Sequence, residues 1–203
     1  MPIFRRSRAA PDDRLVVAGL GNPGERYAGT RHNTGAMVIE ELLQRTNSKL
    51  KSHKSGCLIA EVVVAQHKVT LARTTSFMNE SGRPLGQLMR FYKVEPSHLI
   101  VVHDEIDIPF GEVRIKLDGG TAGHNGLKSI VNHLGTKDFV RVRLGVGRPR
   151  GRQDAVGHVL DGFSAAERKE LPFLISVGAD AVERIIEAGL ERAMNEVNTR
   201  ADS

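Results

Sequence analysis

Leu15 to Leu20 is an apolar stretch rich in valine and leucine, closed at once by Gly19, Gly21, Pro23 and Gly24. A short run of this kind reads as a strand covered on both faces, the situation of α/β sheets with helices above and below. Glycine reaches φ > 0 without steric cost and proline cannot donate to a ladder, so the chain must turn at the strand's carboxyl end. Gly35 to Leu43 then repeats apolar residues at helical spacing (Ala36, Ile39, Leu43), with Asn33 or Thr34 as the cap. His32 is thereby expected at a helix N-terminus, where the partial positive charge disfavours imidazolium and keeps the ring able to accept a proton. The plainer role for His32 is a hydrogen bond within its loop.

The same alternation of strand and helix continues. Cys57 to Ala65 and Val69 to Thr74 are β-branched runs, read as a hairpin turning at Gln66-His67-Lys68. Leu85, Leu88, Met89 and Tyr92 step at helical spacing behind Pro84, and Leu99 to Val102 is a further buried strand. Glu112 to Leu117 and Phe139 to Val146 alternate apolar residues with Arg114, Lys116, Arg141 and Arg143. Between them a glycine loop opens a helix carrying Leu127, Ile130, Val131 and Leu134, with Asn125 as its expected N-cap and Gly135 as its stop. Ser164 and Glu167 form a capping box for a helix reaching about Glu187, expected to break or restart at Pro172, and Thr199 to Ser203 should fray. The expected fold class is α/β: a single three-layer domain over residues 14–203, its mixed twisted sheet flanked by helices on both faces. Residues 1–13 read as a flexible basic arm.

Composition narrows the function. A net charge of +5 over 203 residues favours an anionic partner, with nucleic acid the natural choice, while 4% aromatics and no tryptophan argue against binding by stacked bases. The lone Cys57 excludes an intrachain disulfide and a thiolate zinc cage and fits a reducing cytoplasm. Cys57 opens an apolar run and reads as a core thiol. No stretch approaches the roughly 18 apolar residues of a membrane helix, and Met1 to Arg8 lacks the apolar core of a secretory signal.

Polar groups gather where strands end. Gly19 to Gly24 fits G-x-G-x-x-G, but Pro23 and a further loop precede the helix, and Gln44 stands near the place of the ribose-binding carboxylate, so a dinucleotide site is disfavoured. His103-Asp104-Glu105-Ile106-Asp107 follows another strand; a metal is the rival reading, opposed by adjacent carboxylates that point apart. Phe77 and Met78 sit in a polar turn beside Asn79, either plugging the core or walling a substrate site. Lys116, Arg114, Arg141, Arg143, Arg148, Arg150 and Arg152 make a candidate phosphate track.

GLGNPGxxYxxTRHNxG at Gly19 to Gly35, FMNxSG at Phe77 to Gly82, HDEID at His103 to Asp107 and GHNG at Gly123 to Gly126 together resemble the bacterial peptidyl-tRNA hydrolases, from Leu15 to about Gly189. The resemblance implies a monomeric cytoplasmic enzyme that cuts the ester between a peptide and the 3′ end of tRNA, without metal or cofactor. It implies that His32 is the general base, Asp104 the carboxylate that orients it, and Asn22 the residue that tells N-blocked from free aminoacyl-tRNA. By the same resemblance Tyr27, Phe77, Met78, Asn79 and Asn125 line the substrate site, and Lys116 with Arg143 grips the tRNA 5′ phosphate. Residue chemistry agrees: an ester is an activated electrophile, so a neutral histidine backed by a carboxylate can activate water without a serine nucleophile, and no G-x-S-x-G is present. The competing class is an RNA-binding protein on the same scaffold, against which the set of His32, Asp104 and three asparagines argues.

Overall fold

The computed structural model describes residues 14–149, 151 and 154–201; the expected N-terminal arm, Arg150 and Arg152 lie outside these. The chain forms β1 (Leu15–Gly19), α1 (Glu25–Ala28), α2 (Thr34–Arg45), β2 (Lys51–Ser52), β3 (Cys57–Val64), β4 (His67–Thr74), α3 (Gly82–Tyr92), β5 (Leu99–Glu105), β6 (Val113–Leu117), α4 (Asn125–Leu134), β7 (Val140–Gly145), α5 (Ala155–Leu160), α6 (Ala165–Ala188) and α7 (Leu190–Ala201). Among the described residues the strands make a seven-stranded sheet ordered β2-β3-β4-β1-β5-β7-β6. Pairing is parallel across β4, β1, β5 and β7 and antiparallel towards both edges.

Three layers follow from strand alternation. Val17, Leu71, Ile100, Val102 and Val142 face Val38, Ile39 and Leu42 of α2 and Leu174, Val182 and Ile185 of α6. Val16, Ala18, Ala72 and Val101 face Leu85 and Leu88 of α3 and Leu127 and Ile130 of α4 on the other side. The expected fold class is therefore observed.

Close packing at one point sets the site. A Cβ on Gly19 would lie 2.2 Å from the Gly35 carbonyl oxygen, and one on Gly35 would lie 2.1 Å from the Val102 oxygen. Only two glycines let the start of α2 rest directly on the ends of β1 and β5, where Leu20 N–H donates to Val102 O and Ala36 N–H to Leu20 O, each at 3.0 Å. The His32 loop is thereby fixed over the carboxyl end of β5.

Four local expectations change. The hairpin turns at Ala65 and Gln66, both at positive φ (48° and 69°), because a two-residue turn of this hand matches strand twist better than the longer connection. His124, not Asn125, caps α4, since its ring nitrogen accepts from the backbone N–H of Gly126 and Leu127. Helix α6 runs unbroken through Pro172, which lies on an exposed face where solvent can satisfy the carbonyl it leaves unpaired. The expected frayed end is helical as far as Ala201, with Asp202 and Ser203 outside the described residues: Asn198 accepts from Ile115 N–H at 2.8 Å and donates to its carbonyl at 3.0 Å, so α7 covers the backbone of edge strand β6. The reciprocal capping box of Ser164 and Glu167 is present.

Candidate active site

His32 occupies a 3₁₀ turn, Arg31–Asn33, immediately ahead of α2, and Asp104 lies at the carboxyl end of β5. The imidazole Nδ1 of His32 is 2.9 Å from Asp104 Oδ1 and 3.0 Å from Oδ2. His124 reaches the same carboxylate from the start of α4, its Nε2 2.9 Å from Oδ1. Asp104 thus joins two histidines from separate loops.

The protons can be assigned by elimination. Burial alone would raise the Asp104 carboxyl, but the hydrogen bonds it accepts from His124 and His32 carry it well below the ordinary carboxylate range. An ionised carboxylate only accepts, so both facing ring nitrogens carry hydrogen. On His124 this leaves Nδ1 as the acceptor for the N–H groups of Gly126 and Leu127, at 3.1 and 3.4 Å, which is consistent only with a neutral ring. On His32 it leaves Nε2 without a partner among the described residues, on the wall of the cleft.

The third histidine, His103, is buried and donates from Nδ1 to the Asp104 backbone carbonyl at 2.7 Å. Burial pushes it down to about 3, so it is neutral at physiological pH. His32, Asp104 and His124 are close enough to suggest cation ligands. Yet the donor atoms turned towards one another hold protons, and a metal on His124 Nε2 would require the other tautomer and forfeit the helix cap. The set fits a hydrogen-bonded cluster better than a metal centre.

These groups open into a cleft of about 390 Å³ lined by Asn22, Tyr27, Phe77, Asn79, Asn125 and the outer side of α5. Asn22 is fixed at both ends: its backbone exchanges hydrogen bonds with the Asn33 amide at 2.8 and 2.9 Å, and its Oδ1 accepts from Met78 N–H at 2.8 Å. The Met78 bond thereby orients the Asn22 amide and leaves its N–H donors without a protein partner among the described residues. Phe77 and Met78 divide the two roles open to them: Met78 is 4% exposed and belongs to the core, while Phe77 is 49% exposed and meets Tyr27 edge-on at 6.3 Å.

The structure brings together His32, Asp104, Asn22, Tyr27, Phe77, Met78, Asn79 and Asn125. Lys116 and Arg143 lie apart, on the β6 and β7 face that also carries Arg114 and Arg141. That face is not a uniform track. Arg114 pairs with Glu112 at 3.2 Å, Arg148 with Asp107 at 2.6 Å, and Arg141 is buried, whereas Lys116 and Arg143 have no ion-pair partner among the described residues. Two contributors were missed by spacing. His124 looked like part of a glycine loop, and α5 escaped notice although Asp154 as N-cap followed by Val156, Val159 and Leu160 at i, i+3, i+4 would have revealed it.

A mixed three-layer α/β domain with a histidine–carboxylate–histidine cluster in an amide-lined cleft at its strand ends is the class of protein that fold and site define. A family profile described as peptidyl-tRNA hydrolase matches residues 16–203. Peptidyl-tRNA hydrolases of Frankia alni and Mycobacterium marinum are similar, at 54% identity over 184 residues (91% of this chain, 93% of the relative) and 52% over 185 (91% and 97%). The crystal structure of the peptidyl-tRNA hydrolase from Acinetobacter baumannii superposes with a TM-score of 0.86 at 32% identity, covering 94% of this chain and 97% of that one. The chain belongs to the peptidyl-tRNA hydrolase family.

Proposed function

We propose that this chain hydrolyses the ester joining a peptide, or an N-blocked amino acid, to the 3′ end of tRNA and so returns free tRNA to translation. Family membership supports the reaction, and one observation carries the mechanism: His32 is held through Nδ1 by an ionised Asp104 with Nε2 left on the cleft. That nitrogen takes a proton from water as the oxygen attacks the ester carbonyl, and the imidazolium then gives the proton to the tRNA 3′ oxygen as the ester bond breaks. Asp104 fixes the tautomer and stabilises the imidazolium that forms, while His124, as a second donor, keeps the carboxylate from taking the proton itself.

Amide donors from Asn22, with Asn79 and Asn125 nearby, suit a developing oxyanion and the acyl carbonyl of a blocked amine. A free α-ammonium would bring donors against donors and lose hydration, which rejects unblocked aminoacyl-tRNA. Lys116 and Arg143 hold the tRNA 5′ phosphate, and Tyr27 and Phe77 receive apolar parts of the substrate. The enzyme acts as a cytoplasmic monomer and needs no metal; among the described residues no helix is long and apolar enough to cross a membrane. The test is hydrolysis of N-acetylaminoacyl-tRNA against its unblocked counterpart in chelator-treated buffer. Cleavage of the blocked substrate alone supports the reading, and tRNA binding without cleavage of either would make this an RNA-binding protein instead.

A further inference from the structure

Arg141 departs from its neighbours on the basic face. It is 2% exposed, and its guanidinium donates to the carbonyl oxygens of Gly120 at 2.5 Å and Gly119 at 2.9 Å. From above, Lys116 lies over the same loop: a Cβ on Gly119 would come within 2.7 Å of its Cε. The clamped segment leads directly into a turn in which Ala122 (φ 46°) and Gly123 (φ 80°) are left-handed and His124 N–H donates to Thr121 O at 2.8 Å. The next ring along the chain is the one that caps α4 and meets Asp104.

A loop with successive positive-φ residues has several conformations of similar energy, and few buried apolar contacts are available to choose among them. Its carbonyls are instead chosen by a forked cation, which can bind two oxygens at once where lysine binds as a point charge. We propose that Arg141 is a positioning residue for the hydrolytic centre, setting the Gly119–Gly123 loop so that His124 holds Asp104 behind His32, and that it does not contact the tRNA phosphates. This rests on the hydrolase reading above.

The experiment compares Arg141→Met and Arg141→Lys on two substrates: N-acetylaminoacyl-tRNA, and the same acyl group esterified to adenosine, which has no phosphate. Displacing a catalytic group by about 1 Å costs on the order of 100-fold in rate. Arg141→Met is therefore expected to lower kcat on both substrates by roughly 10- to 100-fold with KM for the adenosine ester little changed, and Arg141→Lys to regain part of kcat. Loss confined to the tRNA substrate, or unchanged kcat on the adenosine ester, would overturn the proposal. Should Arg141→Met fail to fold, Arg141→Lys carries the test: lowered kcat on both substrates supports positioning, and unchanged kcat on the ester refutes it. His32→Ala on the adenosine ester separates the two readings, since activity there would remove the proposed base whatever Arg141 does.

Discussion

His124 Nε2 lies 2.9 Å from Asp104 Oδ1, and the same imidazole caps α4 through its other nitrogen. One ring thus serves helix and reaction centre together, and the two duties can be separated. In His124→Asn the side chain still caps the helix but is too short to reach the carboxylate. A hydrogen bond to a charged group contributes about 1.5–3 kcal/mol, so kcat is expected to fall roughly 10- to 100-fold if the bond matters in the transition state. Thermal unfolding should separate the two duties, His124→Ala lying about 1 kcal/mol below His124→Asn because it also loses the cap. Equal kcat in parent and His124→Asn would show that the second donor is dispensable.

The two residues of the Phe77–Met78 pair should respond oppositely. Met78→Ala opens space in the core and should destabilise by about 2–5 kcal/mol in urea unfolding. Phe77→Ala should change stability by less than about 1 kcal/mol yet raise KM, because an exposed ring has little to lose on unfolding. A stable Met78→Ala variant would mean that Met78 is not core.

Acid should weaken the fold through His103. Its value is about 3 in the folded protein against 6.5 for an ordinary histidine, so between these limits the unfolded chain binds a proton that the folded one does not, and stability falls as pH falls. Asp104 adds no slope until the pH nears its ordinary value of 3.8, since its folded value is lower still and it is ionised in both states above that. From about pH 7 to about pH 5 the His103 contribution is roughly 2 kcal/mol. In His103→Asn, which keeps an N–H for the Asp104 carbonyl, urea unfolding should show an acid loss smaller by that amount; an identical loss would place the titrating group elsewhere.

Much of this was legible in the sequence, and the residues show why the rest was not. The apolar runs of β1 and β5 and the spacing in α2 and α3 are local patterns, so the sheet and the layers could be anticipated, while the pairing of His32 with Asp104 came from the resemblance their motifs carry. His124 as cap could not, because a histidine accepting through a ring nitrogen does the work usually read from asparagine. Helix α7 carries its reason at a distance: Asn198 pairs with Ile115, and no local spacing reports a side chain that closes a sheet edge. Arg141 alternates with valines just as Arg143 does, and only the position of the glycine loop turns one inward.

The phosphate grip should be visible in salt dependence. With Lys116 and Arg143 both changed to alanine, the slope of log affinity for tRNA against log salt should flatten by roughly 1.5. Hydrolysis of the phosphate-free adenosine ester should fall far less than hydrolysis of the tRNA substrate. Comparable losses on both substrates would mean that the pair supports the site itself.

The central claim is that the His32 imidazole, backed by Asp104, takes the proton from water. Single-turnover hydrolysis of N-acetylaminoacyl-tRNA by His32→Ala tests it most directly, with tRNA affinity measured on the same preparation. The rate should fall about 10²- to 10⁴-fold while affinity stays within a few fold. A variant that binds tRNA normally and still hydrolyses at the parent's rate would contradict the account.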